Sequence, residues 1–172
     1  MSLSEPDPRN KYEFDSWENN LQSNPARDTA RAMSQQNVEI VRRAIELLER
    51  GDWRGLADLF DPEVELHGTV GGLEEGKIVR GLSQIRQAFQ TEEDEVWDEH
   101  RIEPQEFIDA GDRVVVFQRE YQRSKGGAEL VIDTASILDL RDGRIVRMQG
   151  YMNPAEAVEA AGLSEQDVHA DS

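Results

Sequence analysis

Arg119 and Asp133 are charged residues on two extended segments that otherwise read as core. Side chains alternate along a strand, so in Arg113 to Arg123 the residues Val115, Phe117, Arg119 and Tyr121 share one face. Val114, Val116, Gln118 and Glu120 share the other. An arginine in a row with apolar and aromatic neighbours is expected to reach into or across a pocket. The following segment, Leu130 to Leu140, puts Leu130, Ile132, Thr134, Ser136 and Leu138 on one face and Val131, Asp133, Ala135, Ile137 and Asp139 on the other. A two-residue turn at Gly126-Gly127 sets Arg119 opposite Thr134, and a three-residue turn sets it opposite Asp133. A slip of one residue exchanges the faces, and the sequence leaves both registers open. Asp133 could take a proton from an acidic carbon or a water, with Arg119 keeping it ionised and oriented. Arginine itself stays protonated and is no practical base. A buried Arg–Asp pair with a structural role accounts for the same two residues.

His67 is the second candidate acid or base, since imidazole titrates near neutrality. It shares its face of Val64-Glu-Leu-His67 with Glu65, and a half-exposed histidine before a glycine loop is the alternative reading. His100 and His169 sit among acidic residues in surface segments and receive no role. Tyr151 could offer its hydroxyl to a ligand oxygen, and Trp53 opens a short helix; aromatic packing suits both as well. Phe117 and Met148 read as pocket wall, and Tyr121 stands two residues beyond Arg119 on the same face. With no cysteine and three scattered histidines, no metal-site spacing exists, and no metal is expected. The acidic run Glu92 to Glu99 lacks the alternation and glycine of a calcium loop. No Gly-x-Ser-x-Gly elbow, phosphate loop or dinucleotide fingerprint is present, and no cofactor is expected.

These residues need elements to hold them. Ser34 is a candidate N-cap, and Val38, Val41, Ala44, Ile45 and Leu48 follow at helical spacing until Gly51. Asp52 can cap a second helix carrying Trp53, Leu56, Leu59 and Phe60, ended by Asp61-Pro62. Val64 to His67 alternates as a short strand before a glycine-rich loop, Gly68 to Gly76. Gly81 to Phe89 reads as a third helix, and Thr91 to His100 as a solvated helix end or loop. Arg101 to Ile108 leads into three extended segments, Arg113–Arg123, Leu130–Leu140 and Arg144–Met152. Asn153-Pro154 opens a closing helix over 155–161, stopped by Gly162. Helices followed by an antiparallel meander give the α+β class. Residues 1–32 read as a polar leader, flexible or docked through Tyr12, Phe14, Trp17 and Leu21, and 164–172 as an acidic tail.

Between Met33 and Leu163 the chain resembles the SnoaL-like family of the NTF2-like superfamily. The resemblance rests on Ala44 to Trp53 with Leu56 to Val64, and on Val64-Glu-Leu-His-Gly68. Further strings are Arg80-Gly81, Glu106-Phe-Ile-Asp-Ala-Gly-Asp-Arg-Val114, Leu140-Arg-Asp-Gly-Arg-Ile-Val146, and Tyr151 followed by Ala155 to Leu163. It implies a cone, in which N-terminal helices pack on a curved, mostly antiparallel sheet around an apolar pocket. Family members include polyketide cyclases, ketosteroid isomerase, limonene epoxide hydrolase and binding proteins. SnoaL-type cyclases carry a catalytic histidine and aspartate about fourteen residues apart on neighbouring strands. The family pattern therefore favours Asp133 as the partner of Arg119, with arginine standing where the cyclase has histidine.

The 172-residue chain is 37% hydrophobic and 32% charged, with net charge −17. Such a surface repels phosphates and anionic lipid, so neither nucleic acid nor membrane is an expected partner. No apolar run reaches spanning length, and Met1 to Asn10 lacks the apolar core of a secretory signal, so a cytoplasmic location is expected. Val and Ile on the outer sheet face suggest a homodimer. The reading is a domain that binds a small apolar or aromatic molecule in its cone, with cofactor-free acid–base catalysis of isomerase, cyclase or hydrolase type. A non-catalytic ligand binder or a protein-interaction module remains the alternative.

Overall fold

The computed structural model describes Arg9 and residues 24–169. Tyr12, Phe14, Trp17 and Leu21 lie outside the described residues. Contacts divide the chain between Met33 and Ser34, and the two parts are treated separately. The elements in chain order are α1 (Pro25–Glu49), α2 (Trp53–Leu56), β1 (Phe60–Val70), β2 (Ile78–Arg80), α3 (Leu82–Glu95) and β3 (Trp97–Asp109). Then come β4 (Arg113–Ser124), β5 (Glu129–Arg141), β6 (Arg144–Tyr151), α4 (Pro154–Ala160) and α5 (Glu165–His169). The strands form one six-stranded sheet in the order β2-β1-β6-β5-β4-β3. Only the β1–β6 pair is parallel. The α+β class read from the sequence is therefore the class observed.

Several boundaries differ from the sequence reading, each for a local reason. The first helix starts at Pro25 instead of after Ser34, because Asn24 accepts from the amides of Ala26 and Arg27 at 3.1 and 3.3 Å. Asp52 does cap α2, accepting from Gly55 N at 2.9 Å, but the helix stops at Leu56. Phe60, expected on that helix, opens β1 and pairs with Ile145. A short strand that the sequence reading did not name, β2, follows the glycine-rich loop and pairs antiparallel with β1. Chain approach there is close: a Cβ on Gly68 would sit 1.7 Å from the Glu74 carbonyl oxygen, so only glycine fits. The acidic run after α3 is split between its last turn and the start of β3. In the tail, Ser164 and Asp167 cap each other around α5.

Two apolar clusters occupy the two faces of the sheet. On one, Val41, Ala44 and Leu47 of α1, Leu56 of α2 and Ile85 of α3 pack on Val64, Val114, Val116, Leu138, Ile145 and Met148. On the other, Ala157 of α4 packs on Ile108, Val115, Ala135, Ile137 and Tyr151. Val115 and Ile137 of the central strands are thus covered within the chain itself, whereas Val131 at the far end of β5 stays exposed. Asn153 holds α4 in place by accepting from Ala155 N at 3.0 Å, with Pro154 in the first turn. Ile85 of α3 is fully buried in the helix-side cluster. Ile85→Ala should lower unfolding free energy by about 2–5 kcal/mol in urea titration with the m-value unchanged. Asn153→Ala should cost about 0.5–2 kcal/mol.

Candidate functional site

The β4–β5 hairpin settles which polar residues meet. Arg119 pairs with Asp133, Glu120 with Ile132, and Gln118 with Thr134. The core then assigns the faces. Val114 and Val116 lie under α1 and α3, whereas Val115 lies under α4. By alternation, Gln118, Glu120 and Gln122 continue the helix-side row, and Phe117, Arg119 and Tyr121 continue the outer row.

On the helix side, four side chains converge on the Glu120 carboxylate. Thr134 Oγ1 and Gln118 Nε2 donate to Oε1 at 2.6 and 3.2 Å. Gln122 Nε2 donates to Oε2 at 2.9 Å, and His100 Nε2 lies 3.2 Å from the same oxygen. Ser136 Oγ supports Gln118 from behind at 3.4 Å. The Glu120 side chain is 13% exposed and that of His100 23%. Burial pushes the Glu120 carboxyl up, but hydrogen bonds from His100, Thr134 and Gln118 outweigh it and hold the group at about 2. An ionised carboxylate only accepts, so His100 Nε2 carries the proton. A neutral His100 then presents Nδ1 as a lone pair, and among the described residues this nitrogen has no partner. The Trp97 ring lies 5.5 Å from the imidazole, and its Nε1 is buried without a partner among the described residues. Glu92, in the last turn of α3, has its carboxyl raised by desolvation, with His100 opposing and Glu74 and Glu120 adding to the rise.

The residues singled out from the sequence fall differently. Arg119 and Asp133 meet through two contacts, Nε to Oδ1 at 2.8 Å and Nη2 to Oδ2 at 3.2 Å. Their side chains are 45% and 61% exposed and lie on the outer face. The expectation that Arg119 reaches into the pocket is corrected: it follows Val115 and Phe117, whose row belongs to the side packed on α4. The Arg119 hydrogen bond holds the Asp133 carboxyl below its ordinary value, and Asp133 in turn raises the Arg119 guanidinium. Tyr121 lies beneath Arg101, whose guanidinium carbon is 4.3 Å from the ring centroid. Phe117 and Tyr151 join the outer cluster under α4. His67 is also on the outer face, with Nε2 2.7 Å from Glu65 Oε2 and Nδ1 3.5 Å from Arg147 Nη2. Both its ring nitrogens are engaged, unlike those of His100. Met148 belongs to the helix-side core, and Trp53 packs there with its ring 6.0 Å from Phe89.

The sequence reading missed Glu120 and Gln118, gave His100 no role, and named Thr134 only as the alternative partner of Arg119. The available signal was the in-phase row Val114, Val116, Gln118, Glu120, in which two core positions precede one buried and one partly buried polar residue. Among the described residues no group of three or more His, Cys, Asp or Glu side chains could hold a metal ion.

The family model for the SnoaL-like domain matches residues 41–148. The chain belongs to the SnoaL-like family. Its match to an uncharacterised PhzA/B-like protein of Pseudomonas aeruginosa is 29% identical over 136 residues, covering 72% of this chain and 89% of that protein. A solved NTF2-like protein of unknown function from Burkholderia pseudomallei superposes with a TM-score of 0.60 at 23% identity, covering 72% of this chain and 95% of that one. TerC, crystallised with polyporic acid, gives a TM-score of 0.60 at 27% identity, covering 74% and 98% of the two chains. The fold of this SnoaL-like chain is therefore NTF2-like, as its sequence strings imply.

A carboxyl depressed on folding contributes stability above its unfolded value, about 4.3, and loses it as pH falls towards about 2. Between those limits the stability of the wild-type chain should fall more steeply than that of Glu120→Gln, measured by urea titration at successive pH values. Arg119→Ala and Asp133→Ala, at exposed positions, should leave the melting temperature close to wild type in a calorimetric scan.

Proposed function

We propose that the chain binds a small apolar or aromatic molecule on the helix-side face beside His100, and that His100 and Glu120 act on it as a proton-transfer dyad. The observation that carries this reading is the saturation of the Glu120 carboxylate. With four donors and an ionisation near pH 2, Glu120 is a poor base but a firm anchor. It fixes the tautomer of His100, leaves Nδ1 as the accepting atom, and would stabilise the imidazolium formed when that atom takes a proton. Trp97 beside the imidazole and Ile102 and Ile132 on the flanking strands supply an apolar setting for a ring. Membership of the SnoaL-like family and the likeness to TerC, crystallised with polyporic acid, support a small-molecule ligand. The chemistry would be proton abstraction next to a carbonyl, the first step of a cofactor-free isomerisation or cyclisation.

Deuterium exchange at carbons next to the carbonyl, followed by NMR across a panel of unsaturated cyclic ketones, tests the reading. Exchange should depend on the protein and fall about 100-fold or more in His100→Asn, while Arg119→Ala and Asp133→Ala retain it. Exchange unchanged in His100→Asn would end the dyad assignment. Ring binding that survives with no exchange in the wild type would favour a non-catalytic binder.

A further inference from the structure

The outer face carries a second arrangement that the dyad does not use. One cross-sheet row alternates in charge over five strands: Arg80, Glu65, Arg147, Asp139 and Arg113 are successive neighbours on β2, β1, β6, β5 and β4. The row holds three arginines and two carboxylates, so one cation lacks a full partner. Glu65 is taken by Arg80 at 2.9 Å and His67 at 2.7 Å. Asp139 is 3.3 Å from Arg113 and 3.7 Å from Arg147. Arg147 is thus the more loosely held of the two arginines that share Asp139, whose buried Oδ1 itself has no hydrogen-bond partner among the described residues. Its short contact is to the neutral Gln149 Oε1 at 2.6 Å, and its Nε has no hydrogen-bond partner among the described residues. Its remaining contact is with His67 Nδ1 at 3.5 Å.

Arg147 also lines a cavity. Arg113, Ile137, Asp139, Arg147, Gln149, Tyr151 and Ala160 line a recess of about 230 Å³ between the sheet and α4, the volume of about eight waters. We propose that this cavity is a binding site for a small monocarboxylate with a short apolar or aromatic body. A guanidinium matches the planar carboxylate, and one excess positive charge matches one negative charge. Ile137, Ala160 and the Tyr151 ring face the carbon skeleton. A chain of net charge −17 repels anions over most of its surface, so an arginine only partly neutralised by Asp139 and set in a concavity is a distinctive local attraction. Dianions find no second free cation there, because Arg113 is held by Asp139 and by the Ala160 carbonyl at 3.1 Å.

Calorimetric titration of the full chain with benzoate, and with benzamide as the uncharged counterpart, tests the site. Benzoate should bind and benzamide should bind at least about tenfold more weakly. Arg147→Gln should weaken benzoate by a similar factor, Arg147→Lys should restore part of the loss, and Glu120→Gln should leave it unchanged. Equal binding of benzoate and benzamide, retention of benzoate in Arg147→Gln, loss in Glu120→Gln, or no binding by the wild type would each overturn the proposal. Circular dichroism of Arg147→Gln and Arg147→Lys separates loss of the site from loss of the fold, and the Lys variant carries the test if the Gln variant unfolds.

Discussion

Burial of Val114 and Val116 beneath α1 and α3 is the constraint on which the placement of every charged residue in β4 depends. Burying one valine is worth roughly 1.5–3 kcal/mol. Turning the strand over would present Arg119 to the core, and an unpaired buried guanidinium costs more than the valines gain. The period of two then carries that decision outward along the strand. Glu120 must point towards the helices and Arg119 away from them. The register with β5 brings Thr134 within 2.6 Å of Glu120 for the same reason.

Much of the fold was legible. The helix periodicity after Ser34, the Asp52 and Asn153 caps and the glycine-marked hairpins all have local causes that a sequence displays. The Arg119–Asp133 pairing was one of two registers the turn allowed. The face it occupies was not legible, because Val114, Val115, Val116 and Phe117 are all apolar and alternation carries no signal across them. The cover for Val115 is Ala157, which arrives only after two further strands. The start of α1 was hidden by polar composition, with Asn24 and Pro25 read as leader instead of as cap and first turn. Strand β2 has three residues, too few for a periodic pattern to show.

The two described histidines next to carboxylates show why residue type alone could not select the site. His67 and His100 each meet a glutamate, at 2.7 and 3.2 Å. His67 is clamped at both nitrogens between Glu65 and Arg147, a structural link within a charged row. His100 is held at one nitrogen only, by a glutamate whose other donors already fix its position. Sequence reasoning favoured the first because it stood in a recognisable strand and set aside the second because acids surrounded it. The partner of the second ring nitrogen distinguishes them, and that is a property of strand register.

The tight approach at Gly68 has a consequence beyond the loop it closes. Strand β2 shields one margin of the sheet although it pairs over only three positions. Any side chain at Gly68 would collide with the Glu74 carbonyl and prise β2 away. The eleven-residue β1 would then show a bare rim of amides and carbonyls to neighbouring molecules. A single hydrogen atom in place of a methyl group is thus part of what keeps copies of this chain from stitching together edge to edge.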